Sequence, residues 1–374
     1  MKIKKILLYF ICFIITININ TYSVLANQHL NKKENKLNVN ARAYIALDAN
    51  SKVVLAGRNS EVIMPMASTT KILTALVTLK YGDLDKMVEI SPKASSIRGS
   101  VAGYKKGEEI SLKELLFGLM LRSGNDAAIA IAEGVAGSEE EFVRLMNEYA
   151  ASLGLIDSHF CSPHGLDSAE HYSTVYDLAI LTAESKKHPL FHEIVSTKDI
   201  TKDKYSFSRD YHNINKILWQ LPNATGVKTG YTGGAGKCLV SSVDISGREV
   251  IIVVLDCPGR WKETTKVNNY VKKNYEYKKL HSKGEVVAKA PKDKKNIDLV
   301  CKEDIIIPTE KGTDYSVKIN VPNEINHNIY EGDKVGSINV FKEDKLIFTE
   351  SLVAKNSYKA PIIKKFPFKS IFKK

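Results

Sequence analysis

The chain is 374 residues long, 44% hydrophobic, and carries a formal net charge of +12 at neutral pH. Three of those charges are Lys2, Lys4 and Lys5, and seven are Lys355, Lys359, Lys364, Lys365, Lys369, Lys373 and Lys374 at the acid-free end, leaving the body at about +2. That distribution excludes a nucleic-acid-binding body, while the length allows two domains.

The first residues read as a secretory signal. Basic Lys2, Lys4 and Lys5 precede an apolar core from Ile6 to Ile17, and Val24-Leu25-Ala26 places small residues where a signal peptidase reads. The apolar run is shorter than the roughly 20 residues a membrane span needs, and Asn18 and Asn20 interrupt its end. Residues 1–26 are therefore expected to be removed, with Asn27 as the new terminus and an exported, extracytoplasmic product. Residues 27 to 40 form a polar lead-in. Ala43 to Leu47 and Lys52 to Ala56 flank a turn at Asn50-Ser51 and predict a hairpin.

Ser68 opens an apolar helical stretch through Leu79 that stops at Gly82. Ser111-Leu112-Lys113-Glu114 has the form of a capping box, followed by Leu112, Leu115, Leu116 and Leu119 at helical spacing. Ala127 to Ala132 is small and apolar throughout, as a core helix would be. Ser138-Glu139-Glu140-Glu141 begins another helix, with Phe142, Leu145, Met146, Tyr149 and Leu153 on one face. Strand-like runs follow at Leu239 to Val243 and Val250 to Leu255, the second continuously apolar and so expected at the centre of a sheet. Periodicity alone gives an α+β chain. Beyond Lys279 helical signals fade and short β-type runs alternate with Lys-rich loops: Val286 to Ala288, Ile305 to Ile307, Tyr315 to Val321, Val335 to Phe341 and Leu346 to Phe348. The expected organisation is a catalytic domain over 27–278, an all-β domain over 280–354, and a basic, aromatic tail over 355–374.

Three triplets within this frame carry chemistry: Ser68-Thr69-Thr70-Lys71, Ser123-Gly124-Asn125 and Lys228-Thr229-Gly230. A serine three places before a lysine shares a helix face with it, so Lys71 can serve Ser68 as a base. Each triplet alone is weak, and the chain holds decoys at Ser337-Ile338-Asn339 and Ser370-Ile371-Phe372-Lys373. Only the first copies stand in productive order, and only Ser68 opens a helix with a core to hold it. Motifs of this class occur in penicillin-binding proteins and β-lactamases.

Together with Pro163-His164-Gly165-Leu166-Asp167, Tyr172-Ser173-Thr174 and the run from Thr225 to Val240, these residues give a chain that resembles the serine D-alanyl-D-alanine carboxypeptidases, the low-molecular-mass penicillin-binding proteins. Glycine inside the middle motif is the form typical of that family, whereas class A β-lactamases usually carry aspartate there. The resemblance implies a serine transpeptidase/β-lactamase-like catalytic domain, an antiparallel sheet plus a helical lobe, followed by a small β-sandwich that holds it off the membrane. It implies Ser68 as nucleophile, Lys71 as base, and Ser123 as a bridge between Lys71 and the leaving amine. Asn125 would orient Lys71 and hold the substrate amide. Lys228 and Thr229 would take the terminal carboxylate, Gly230 would make room for the peptide along the strand edge, and Tyr231 would supply an oxyanion N–H beside that of Ser68.

The implied substrate is the pentapeptide stem of peptidoglycan, with β-lactams as inhibitors and no metal or organic cofactor. A transpeptidase, a β-lactamase and a penicillin-binding wall protein without turnover are the alternatives. Arg260 matches a family position near the substrate carboxylate, with a solvated arginine as the other reading. His164 is expected to make a structural hydrogen bond and Asp126 to cap a helix. Cys161, Cys238, Cys257 and Cys301 have no metal-like spacing, and Cys238 reads as a buried thiol. The tail combines its lysines with Ile362, Ile363, Phe366, Phe368, Ile371 and Phe372, a composition suited to an anionic membrane surface.

Overall fold

A computed structural model describes residues 37–292, 295–325 and 327–359. The expected signal segment and the apolar part of the tail lie outside the described residues. All elements below belong to the unit Val39–Lys374.

The hairpin forms as β1 (Ala43–Asp48) and β2 (Val54–Arg58). Its connection, residues 49–53, is one residue longer than the sequence implied, and the Asp48 carboxylate holds it by accepting from both the amide and the hydroxyl of Ser51, each at 2.7 Å. Three late strands complete the sheet: β3 (Ala224–Thr232), β4 (Gly236–Ile245) and β5 (Arg248–Leu255). All pairings are antiparallel, in the order β2-β1-β5-β4-β3. The apolar Val250 to Leu255 run is therefore the central strand, as expected of a segment covered on both faces. β3, carrying Lys228-Thr229-Gly230, is an edge strand.

Between β2 and β3 the chain builds the helical lobe. Its axis is α1 (Lys71–Tyr81), whose Ile72, Leu73, Ala75, Leu76 and Val77 are all buried. A helix apolar on every side belongs in a core, and each buried Leu, Ile or Val contributes about 1.5–3 kcal/mol. Around it pack α2 (Leu112–Leu121), α3 (Asn125–Ala136), α4 (Glu139–Ser152) and α5 (Val175–Ser185). Ser138 caps α4 by accepting from the Glu141 amide at 3.1 Å. At α2 only half of the predicted capping box forms. Ser111 Oγ accepts from the Glu114 amide at 3.2 Å, but the Glu114 carboxylate turns inward, accepting from the Ser208 hydroxyl at 2.5 Å and the Tyr211 hydroxyl at 2.7 Å.

After α6 (Pro189–Ser196) and, beyond the sheet, α7 (Arg260–Asn274), the chain becomes all-β. β6 (Tyr275–His281) pairs with β9 (Ile305–Glu310). β7 (Val286–Lys292), β8 (Lys295–Cys301), β10 (Tyr315–Asn320), β11 (Lys334–Lys342) and β12 (Lys345–Ala354) form a five-stranded sheet ordered β7-β8-β12-β11-β10. The α+β lobe followed by an all-β domain is the expected fold class. β8 was not anticipated, because its lysine-rich approach hides the alternation of Ile297, Leu299 and Cys301, all three buried in that domain's core.

Candidate active site

Ser68 sits in a 3-10 turn, Ala67–Thr70, that runs straight into α1. Ala67 adopts φ +51, a left-handed conformation that a residue with a Cβ takes only under constraint. The turn places Lys71 Nζ 3.0 Å from Ser68 Oγ. Lys71 also donates to Asn125 Oδ1 and to the His164 carbonyl, both at 2.7 Å. It is fully buried. Burial first, and the charge of Lys228 second, hold its ammonium well below the ordinary lysine pKa, with Asp126 opposing.

Asn125 opens α3 and is itself fixed. Its Nδ2 donates to the Arg98 carbonyl at 2.7 Å, so its oxygen must face Lys71. Ser123, two residues earlier, lies in left-handed backbone at φ +60. Its hydroxyl accepts from Lys228 Nζ at 2.9 Å. The sequence reading had placed Ser123 against Lys71. Instead the β3 edge brings Lys228 to it, because Lys228 and Gly230 share the face of β3 turned toward the helical lobe. Lys228 is buried, and that burial, helped by the charge of Arg260, lowers its pKa to about 7.

Gly230 has a reason within the protein itself. A Cβ there would come 2.9 Å from the Met66 carbonyl and 3.1 Å from Ala67 Cβ, so glycine lets β3 lie against the turn that carries Ser68. Thr229 is buried and Tyr231 is exposed at the end of the strand. Arg260 is no solvated arginine: its Nη1 donates to the carbonyls of Gly230 and Cys238, at 2.7 and 3.1 Å, and pins the β3–β4 ladder from behind.

The Pro163–Asp167 loop closes the site. Its contribution is chiefly backbone, which side-chain reasoning missed. Gly165 has φ +84, and a Cβ on it would stand 2.1 Å from the Ala67 carbonyl. The His164 imidazole makes the structural hydrogen bond expected, accepting from the Leu166 amide at 3.2 Å. Burial and the Lys71 charge push its pKa down to about 3, which makes it a neutral group rather than an ion-pair partner of Glu139. His171 braces the same turn: its ring nitrogens bond Thr70 Oγ1 at 2.8 Å and the Cys161 amide at 2.9 Å.

Asp126 is not the N-cap residue of α3, which is Gly124, but its buried carboxylate accepts from the first-turn amide of Ala127 at 2.9 Å as well as from the amides of Ala102, Gly103 and Tyr104 at 2.9, 2.8 and 3.1 Å. The decoy Ser337 lies in β11 of the C-terminal sheet, and Ser370 lies outside the described residues. All four described cysteines are free, with Cys238 buried. Among the described residues no cluster of His, Cys, Asp or Glu could hold a metal ion.

Residues 28–259 match the family profile described as D-alanyl-D-alanine carboxypeptidase. The chain belongs to the D-alanyl-D-alanine carboxypeptidase family. Its class is thereby set as a serine-type hydrolase acting on the D-alanyl-D-alanine bond. Residues 275–360 match the C-terminal domain of penicillin-binding protein 5. Among curated relatives, D-alanyl-D-alanine carboxypeptidase DacF of Bacillus subtilis is 34% identical, over 86% of this chain and 87% of its own length. DacD of Escherichia coli is 30% identical, over 85% of this chain and 87% of its own length. Among solved structures, penicillin-binding protein 5 from Haemophilus influenzae superposes with a TM-score of 0.75 at 29% identity, covering 86% of this chain and 98% of that one.

Proposed function

We propose that this family member releases the terminal D-alanine of peptidoglycan pentapeptide stems through an acyl-enzyme on Ser68, with Lys71 as base. The observation that carries the assignment is the coordination of Lys71. A neutral amine has two N–H bonds and one lone pair. With its N–H bonds engaged by Asn125 Oδ1 and the His164 carbonyl, the lone pair is left facing Ser68 Oγ at 3.0 Å. Burial that favours the neutral amine makes it competent to take the serine proton.

Ser68 Oγ then attacks the scissile carbonyl. The developing oxyanion is met by the backbone N–H groups of Ser68 and Tyr231, a pre-set arrangement of the kind worth about 10²–10³ in turnover per donor. Lys228 and Thr229 hold the terminal carboxylate, and Gly230 lets their strand approach Ser68. Asn125 keeps Lys71 oriented and offers its remaining N–H to the substrate amide. Ser123, held by Lys228, relays to the departing D-alanine amine the proton that Lys71 took from Ser68, so Lys71 is again neutral and Lys228 stays charged. Water then resolves the acyl-enzyme, and a penicillin occupying the same groove would acylate Ser68 in the same way.

Such a substrate lies outside the cytoplasm, in keeping with the signal-like residues 1–26. We further propose that the 280–354 domain spaces the catalytic domain from the membrane and that the 355–374 tail docks on anionic lipid. No helix among the described residues is long and apolar enough to cross a membrane.

The deciding experiment is D-alanine release from a diacyl-Lys-D-Ala-D-Ala peptide by residues 27–374, wild type beside Ser68→Ala. Release by the wild type alone is expected, along with penicillin labelling of the wild type by intact mass. Equal release by both proteins would remove Ser68 from the mechanism.

A further inference from the structure

The loop that supplies the His164 carbonyl and the strand that supplies Tyr231 belong to different parts of the chain, yet both must hold position relative to Ser68. One side chain joins them. The Asp167 carboxylate accepts from the Thr232 hydroxyl at 2.5 Å through Oδ1 and from the Gly234 amide at 3.0 Å through Oδ2. Thr232 Oγ1 in turn accepts from the Ala235 amide at 3.1 Å, which folds the β3–β4 turn onto the carboxylate.

We propose that Asp167 is a positioning residue: a latch that fixes the β3–β4 turn to the Pro163–Asp167 loop and so sets the spacing between the Tyr231 N–H and the Ser68–Lys71 pair. The chain of contacts runs without a gap. At one end, Asp167 lies two residues from Gly165, which seats the loop on the Ala67 carbonyl, and three from His164, whose carbonyl holds Lys71. At the other, Thr232 directly follows Tyr231. Arg260 holds the same strand at the Gly230 carbonyl, so the latch governs only the turn beyond it. Both oxygens of Asp167 are engaged within the protein and the residue is exposed at the rim. Its role is thus to hold the turn rather than to touch substrate, and removing it should leave the core intact.

This inference rests on the Ser68 reading, and the test separates the two. Acylation by a chromogenic penicillin and D-alanine release would be measured for wild type, Asp167→Ala, Thr232→Val, the double variant and Ser68→Ala. Each single change is expected to slow acylation and turnover about tenfold, less than outright loss of an oxyanion donor. KM should stay within about threefold, because Lys228 and Thr229 still hold the carboxylate. The double variant should be no slower than the slower single, the signature of one shared interaction, with melting temperatures nearly unchanged. Unaltered rates in both singles, or losses that multiply in the double, would overturn the latch. Activity persisting in Ser68→Ala would overturn the reading beneath it.

Discussion

Enclosing an ammonium removes its hydration, and the site does this twice, at Lys71 and at Lys228, with the Lys228 charge further disfavouring that of Lys71 and the Arg260 charge that of Lys228. On the proposed mechanism the two lysines are needed in opposite states. Lys71 must be neutral to accept a proton, so acylation rises as pH climbs through its lowered pKa. Lys228 must be charged to hold a carboxylate, so acylation falls as pH climbs through about 7 in the free enzyme. The expected kcat/KM profile is a bell with Lys71 on its acid limb and Lys228 on its alkaline limb. Lys228→Arg separates them, since a guanidinium stays protonated at any working pH. Its maximum should fall, because Arg cannot reproduce the Lys228–Ser123 contact, but its alkaline limb should leave the measurable range. A pH–rate series on that variant showing the alkaline limb unmoved would take Lys228 out of the profile.

At the level of elements, the nucleophile's turn is held on two faces by backbone approaching where side chains cannot fit, with Gly230 of β3 on one and Gly165 on the other. Gly165→Ala meets both a left-handed φ and the Ala67 carbonyl. It should cost about 2 kcal/mol of stability and slow acylation more than tenfold, since the His164 carbonyl cannot stay on Lys71 if the loop lifts. Urea unfolding alongside penicillin acylation reads both, and a fully active, equally stable variant would refute the packing argument. This two-sided bracing also marks the limit of what could be read from sequence. Ser68, Lys71 and the edge strand were legible because short spacing on one helix or strand fixes direction. The partner of Ser123 was not, since it depends on which face of β3 meets the lobe. Nor was the work of Asp126, whose carboxylate satisfies a loop more than twenty residues upstream. Carbonyl ligands such as those of His164 and Arg98 leave no side-chain signature at all, and only the glycine after His164 hinted at a tight approach.

On the scale of the whole molecule, two of the buried apolar clusters, one built from β1, the helices and β3–β5 and the other from the strands after Val286, share no residue. Among the contacts that join them, Tyr275 donates to the Leu55 carbonyl at 2.5 Å and Tyr277 to Asp48 at 3.0 Å, the Lys311 amide and ammonium donate to the carbonyls of Asn274 and Lys273 at 2.8 and 3.0 Å, and Arg248 lies over the Tyr277 ring. Beside these contacts is a cavity of about 220 Å³ lined by Asn50, Ser51, Arg248, Lys302, Ile306 and Phe348. These few contacts are weak coupling for cores of this size, because each net hydrogen bond is worth only about 1 kcal/mol against the many buried side chains of either core. Calorimetry should therefore resolve two transitions rather than one. Penicillin offers a way to assign them. Acylation at Ser68 stabilises only the folded state of the core that holds the site, so one transition should rise by several degrees while the other stays in place. A single transition moving as a whole would mean that the Tyr275 and Tyr277 contacts weld the two cores more tightly than their number implies.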